Sequence, residues 1–300
     1  MLAAVFLFQA VSASPRFSIE QVLSRVTEEA EMLRQNARNA LAEETLEQRA
    51  IRRRSRFRPR VGQAARQTES EFLTRQIISE YSVGTLGKGD SERLTEFRQV
   101  VSVDGHAVQT PDQARHALSL GIASNEDRAR KRMLEDFEHH GLIGAVTDFG
   151  ILLLQFTKRS IRDLKIEPQG TALIGPDAAL VLRYEQTAGS GGVLDFSGRN
   201  VERFPLRGLL FVRASDGLPL RITVEIHRTE GSLHYDDEGT VDYALTPHGF
   251  VGPVSVVHKG YVEKQLVVEN RFHYAPFRRF GAEAELKFTE IPNPPPPPKP

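Results

Sequence analysis

Leu218-Pro219-Leu220-Arg221-Ile222-Thr223-Val224-Glu225-Ile226-His227 alternates apolar and polar side chains without a break. Leu218, Leu220, Ile222, Val224 and Ile226 fall on one face of an extended strand, and Arg221, Thr223, Glu225 and His227 on the other. One face needs a cover and the other is wet. Similar segments occur at Ile161–Ile166, Ala179–Glu185, Phe204–Arg213, Val241–Leu245, Val254–Val257, Val262–Phe272 and Ala284–Phe288. Turn chemistry separates them: Ala188-Gly-Ser-Gly-Gly192, Ser215-Asp-Gly217, Asp237-Glu-Gly239 and Thr246-Pro-His-Gly249. Short turns between alternating strands imply an antiparallel meander, since parallel strands need long crossovers.

Working back toward the N-terminus, Leu73, Ile77, Tyr81 and Val83 share one parity, as do Phe97, Val101 and Val103. Asp104-Gly105 between Val103 and His106 suits a two-residue type I′ hairpin. Thr110-Pro111 opens a helical stretch, and Asn125 to Phe137 a second, highly charged one that ends at Gly141. Leu142 to Phe156 is apolar but interrupted by Asp148. At fifteen residues it is too short to span a bilayer and is expected to be a buried helix or strand. Ser18 and Gln21 have capping-box spacing ahead of Ile19, Val22, Leu23, Val26, Ala30, Leu33, Ala37 and Leu41. That periodicity predicts one amphipathic helix from about Ile19 to about Ala50. The fold class expected is α+β: a curved antiparallel sheet, or unclosed half-barrel, covered by a long N-terminal helix and central helices.

Met1-Leu-Ala-Ala-Val-Phe-Leu-Phe-Gln-Ala10 is an apolar run followed by Val11-Ser12-Ala13-Ser14-Pro15. It reads as a signal-peptide core with cleavage after Ala13, although no Lys or Arg precedes it. The alternative is the first turn of a buried helix. The expected organisation is therefore a signal peptide at 1–13, one domain at 14–291 and a polyproline tail at 292–300. Residues 51–67 form an Arg-rich loop with Arg52, Arg53, Arg54, Arg56, Arg58, Arg60 and Arg66, Pro59 and Gly62 breaking any regular element. This loop is a candidate patch for an anionic partner or simply a solvated loop.

Composition narrows the chemistry. The 300 residues are 40% hydrophobic and 26% charged, with 39 Lys plus Arg against 39 Asp plus Glu. A balanced charge gives no whole-chain argument for nucleic acid, and none is expected as a partner. With no cysteine, disulfides, thiolate metal sites, thiol catalysis and an N-terminal lipid anchor on cysteine are excluded. Phosphate-cradling glycine motifs are missing. Asp148-Phe149-Gly150 matches the kinase metal-binding triplet only by chance, since no other kinase motif accompanies it. Gly189-Ser190-Gly191 is a strand link rather than a nucleophile elbow. His139-His140 diverge on a helix, and His234-Tyr-Asp-Asp-Glu238 reads as a solvated hairpin end before it reads as a metal site. The remaining histidines are scattered singly. No enzyme, no cofactor and no metal are expected.

The hairpin from Leu209 to Glu225, with its Ser215-Asp-Gly217 turn and Leu218-Pro-Leu-Arg221 opening, resembles the periplasmic lipoprotein-carrier superfamily, the LolA/LolB-like and outer-membrane lipoprotein-sorting proteins. The order of helix, strands, central helices and meander is similar over residues 17–290. That resemblance implies an unclosed half-barrel with an apolar concave face and an acyl-chain ligand. Phe97, Val101, Leu210, Ile222, Val224 and Leu266 are then the candidate lining. The same residues fit a filled core equally well. The expected function is an exported, soluble, unanchored periplasmic binding or carrier-like protein for a lipid or lipoprotein acyl chain. The alternative is an envelope scaffold that uses the Arg-rich loop and polyproline tail to contact membrane or envelope proteins.

Overall fold

The computed structural model describes residues 18–51, 72–86, 93–124, 127–141, 148–188, 193–197 and 200–279. The apolar run at 1–13, the arginines at 52–66, the segment Ala284–Phe288 and the polyproline tail lie outside them.

Ser18 caps the first helix, α1 (Ile19–Asn36), as its spacing to Gln21 predicts. The Gln21 amide donates to Ser18 Oγ at 3.3 Å and the Ser18 amide donates to Gln21 Oε1 at 2.8 Å. The helix ends fourteen residues before the expected Ala50. A 3-10 turn at Ala37–Asn39 leads directly into β1 (Ala40–Ile51), whose burial alternates along its length. The periodicity misled because Glu44 and Gln48, polar residues on the buried side of β1, look like the wet face of a helix.

The strands that follow are β2 (Phe72–Leu86), β3 (Arg93–Val103) and β4 (His106–Ala107). Asp104 and Gly105 join the last two with φ of 50° and 78°, as a type I′ turn requires. Helices α2 (Pro111–Ser124) and α3 (Asp127–His139) come next. The stretch expected as a buried helix or strand is neither where it is described. Asp148 takes φ 65°, and Leu152–Phe156 forms a buried 3-10 turn.

The second half is the expected meander, except that Asp237-Glu-Gly239, expected as a turn, lies inside a strand, and Ile161 to Asp163, expected as strand, belongs to a 3-10 turn. Its strands are β5 (Leu164–Ile174), β6 (Asp177–Gln186), β7 (Val193–Ser197), β8 (Asn200–Phe204), β9 (Arg207–Arg213), β10 (Pro219–Glu230), β11 (Leu233–Leu245), β12 (Val251–Val262), β13 (Gln265–Tyr274) and β14 (Arg278–Arg279). Phe204–Arg213, expected as one strand, is split because Pro205 has no amide for a ladder. Val262 and Phe272 also belong to different strands. Glu263 and Lys264, both at positive φ, form a tight turn between them.

The main sheet has twelve strands in the order β4-β3-β2-β1-β13-β12-β11-β10-β9-β6-β5, with β14 added to β1, while β7 and β8 pair separately. Every pairing is antiparallel. The sheet is unclosed: β5 and the short β4 are its two ends. At β5, Pro168 and a bulge that places Gly170 at φ 126° interrupt the ladder.

Register assigns the faces. Glu44 lies opposite Ser79 and Tyr274, and Gln48 opposite Asn270, which in turn lies opposite His258. Further along, His258 faces Gly239, Gly239 faces Val224, and Ile222 faces Leu210, which faces Leu182. This inner face is packed against α1 through Val22, Val26, Ala30 and Leu33, and against the 3-10 turn. Helix α2 instead packs on the outer side of β2 and β3. A Cβ at Gly84 there would collide with Phe97 and touch Ile122 of α2.

Candidate functional site

The inner face has two halves. Over β6, β9, β10 and β11 it is apolar: Leu182, Leu210, Val212, Ile222, Val224 and Val241 are all buried. Over it lies a strap, Asp148 to Phe156, without α or β structure. Phe156 meets Tyr184 edge to face at 5.3 Å, and Phe149 sits against His258 at 5.4 Å. Gly239 makes room for the Phe149 ring, which a Cβ there would strike. The Leu153 amide donates to the Tyr243 hydroxyl at 3.1 Å, and that hydroxyl donates to the Gly150 carbonyl at 3.1 Å.

The half over β1, β2, β3, β12 and β13 is polar. Arg98, 4% exposed, donates from Nε to both Glu44 oxygens at 2.7 and 2.9 Å and from Nη2 to Glu96 Oε2 at 3.0 Å. Its guanidinium also lies over the rings of Tyr81 and Phe272. Glu96 accepts from the Tyr81 hydroxyl at 2.9 Å and from the backbone amides of Asp148 and Gly150 at 2.6 and 2.9 Å. Asp148 reciprocates, accepting from Thr95 Oγ1 at 2.8 Å and from the Glu96 amide at 2.9 Å. The two carboxylates thus clasp the strap to β3.

Burial pushes the Glu96 carboxyl above its ordinary range, with Arg98 pulling against it and Asp148 and Glu44 adding to it. The Tyr81 and Tyr274 hydroxyls are driven up, chiefly by burial and by the neighbouring carboxylates. Arg98 is held charged by Glu44 and Glu96 despite its burial.

A second buried chain runs Asp237–His258–Asn270–Gln48. His258 Nε2 lies 3.0 Å from Asp237 Oδ1, Asn270 Nδ2 lies 3.3 Å from His258 Nδ1, and Gln48 Nε2 donates to Asn270 Oδ1 at 2.7 Å. Both ring nitrogens are engaged, so His258 holds strands together rather than presenting a base. Strand alternation also splits the acidic run at the start of β11. Asp237 turns inward to His258, while Asp236 pairs at 2.5 Å with exposed His227. Among the described residues no group of three His, Asp or Glu side chains is placed to hold a metal ion.

Of the six residues expected to line an apolar site, Leu210, Ile222 and Val224 come together on the inner face. Leu266 is half-buried near the β12–β13 turn, opposite Tyr261. Val101 is half-buried at a bulge, where its carbonyl accepts from the amides of Val108 and Gln109. Phe97 lies on the outer face under α2, because the inward parity of β3 belongs to Glu96, Arg98 and Val100. The arginines at 52–60 lie outside the described residues.

Among the described residues the inner face is filled: Leu33, Leu46, Ile77, Tyr81, Leu153, Phe156, Tyr184 and Phe272 are all fully buried. A cleft of about 260 Å³ opens instead at the rim, between α1 and the β9–β10 turn, lined by Gln21, Val22, Ser24, Arg25, Glu28, Asp216 and Gly217. Among the described residues no helix is long and apolar enough to cross a membrane.

No family model matches the chain, and no curated protein matches it. Three solved structures are similar to it. One is a DUF1329 family protein from Desulfovibrio piger, 9% identical with a TM-score of 0.36 over 89% of this chain and 97% of that one. Another is a putative outer membrane lipoprotein-sorting protein domain from Vibrio parahaemolyticus, 9% identical with a TM-score of 0.37 over 89% and 97%. The third is a LolA superfamily protein from Nitrosomonas europaea, 12% identical with a TM-score of 0.29 over 86% and 93%. Likeness of this degree transfers neither residues nor activity from those chains to this one.

Proposed function

We propose that this is an exported, non-enzymatic binding or carrier-like protein for an apolar ligand, a lipid or acyl chain held between sheet and strap. One observation carries the reading. The apolar half of the inner face is covered by a short irregular strap whose Phe149, Leu152, Leu153 and Phe156 are buried against it. A strap of this kind leaves the sheet ladder intact when it moves, because it contributes no strand to it. Binding therefore exchanges one set of apolar contacts for another.

Native mass spectrometry of the protein, before and after incubation with a long-chain fatty acid, tests it. A stoichiometric fatty-acid adduct is the expected result. No co-purifying lipid and no adduct at saturating fatty acid overturns it.

The filled interior favours a second reading, an envelope interaction protein that acts through residues 51–67 and 292–300. Deleting both segments separates the two readings. A carrier keeps its lipid, whereas a scaffold loses its pulled-down partners.

A further inference from the structure

The exposed side of α3 carries three cations in its first half, and Arg128, in the first turn, works against the helix dipole. Met133 and Phe137 are buried, while Arg128, Lys131 and Arg132 project together at i, i+3 and i+4 on the exposed side. Arg128 sits in the first turn, at the positive end of the helix dipole, and Glu135 and Asp136 lie toward the negative end. Cations belong at the other end of a helix, and like charges four apart, Arg128 and Arg132, repel. Lys131 reaches Glu135 only at 3.9 Å, and neither Arg128 nor Arg132 has an ion pair among the described residues.

The preceding helix ends on an apolar tip. Leu120, 59% exposed, and exposed Ala123 lie in the last turns of α2, a few residues ahead of the cationic stripe. The buried sides of both helices are already used, α2 on β2 and β3 and α3 on β3, so these exposed groups serve no internal packing. The whole chain is neutral, with 39 cations and 39 anions. The stripe is thus a local asymmetry rather than part of a basic protein.

We infer that the α2–α3 tip is a docking surface for an anionic lipid bilayer. Leu120 enters the headgroup layer, and Arg128, Lys131 and Arg132 lie over acidic headgroups. The combination distinguishes a bilayer from a polyanion such as nucleic acid. A polyanion would use the cations and ignore Leu120, and among the described residues no Phe or Tyr is exposed beside the stripe for base stacking. This surface is separate from the strap and does not depend on what the inner face holds.

The test is co-sedimentation of the full chain with phosphatidylcholine vesicles containing or lacking phosphatidylglycerol, at low and high salt. Each cation near an anionic surface contributes about a fivefold gain in partitioning, equivalent to about 1 kcal/mol. The triple variant Arg128→Gln/Lys131→Gln/Arg132→Gln is therefore expected to lose about a hundredfold, and wild-type binding to weaken steeply with salt. Leu120→Gln lowers partitioning onto the same vesicles and leaves retention on heparin unchanged. All four positions are exposed, so a melting temperature no lower than that of the wild type certifies each variant as folded. Three results would each overturn the inference: equal binding to both vesicle types, a triple variant that partitions like wild type, or Leu120→Gln without effect on vesicles. The second would assign any binding to another part of the chain.

Discussion

The two halves of the inner face are built from opposite materials on one continuous sheet. Over β6, β9, β10 and β11 the inward positions are aliphatic, and each strand supports its neighbours by packing. Over β1, β3, β12 and β13 the inward positions hold a guanidinium, two glutamates, a histidine, an asparagine and a glutamine, and each group depends on a particular partner. Packing tolerates loss in proportion to volume. A buried charge network does not, because removing one member leaves the others desolvated and unmatched.

Arg98→Met probes that contrast most strongly. It strands Glu44 and Glu96 in the interior and is expected to cost about 3–5 kcal/mol in urea unfolding. Adding Glu44→Gln and Glu96→Gln should recover a large part of the loss, and failure to do so would dissolve the distinction between the halves. Ile222→Ala, in the apolar half, should cost about 2–5 kcal/mol with no second-site rescue of that kind.

Gly150→Ala tests the seam where strap and network meet. Its Cβ would stand 2.5 Å from Glu96 Oε1, so the strap must shift, with an expected cost of about 1–3 kcal/mol. Faster amide exchange confined to 148–156 would mark the strap as a separable unit. Ser18→Ala, far from both halves, removes one capping acceptor and should cost only about 1 kcal/mol, read as a lower melting temperature.

The same contrast governs what the sequence reveals. Leu220 to Ile226 and the strands around it declare themselves by alternation, because their environment differs only between wet and apolar. The Ser18–Gln21 cap and the Asp104-Gly105 turn are equally plain, since local geometry decides them. The polar half hides. In Ala42-x-Glu44-x-Leu46-x-Gln48-x-Ala50 a period-two pattern with charged and amide residues inside looks like the flank of a helix. In β3, Phe97 and Val101 suggested the inward parity, whereas Glu96 and Arg98 hold it. What places them inside is their partners Glu44, Tyr81 and Asp148, far away in the chain. The strap is aperiodic, so only its apolar character was legible.

The unclosed sheet leaves two margins, and each is blunted differently. On β5, Pro168 and the Gly170 bulge break the row of amides that another chain would need. On β3, amides that would otherwise be unsatisfied are occupied, Glu96's by the Asp148 carboxylate and Arg98's by the Met133 sulfur. A sheet this wide with unbroken margins would be a ready template for end-to-end polymerisation. Among the described residues both margins are therefore interrupted, which makes an open sheet of this width a poorer template for a second copy.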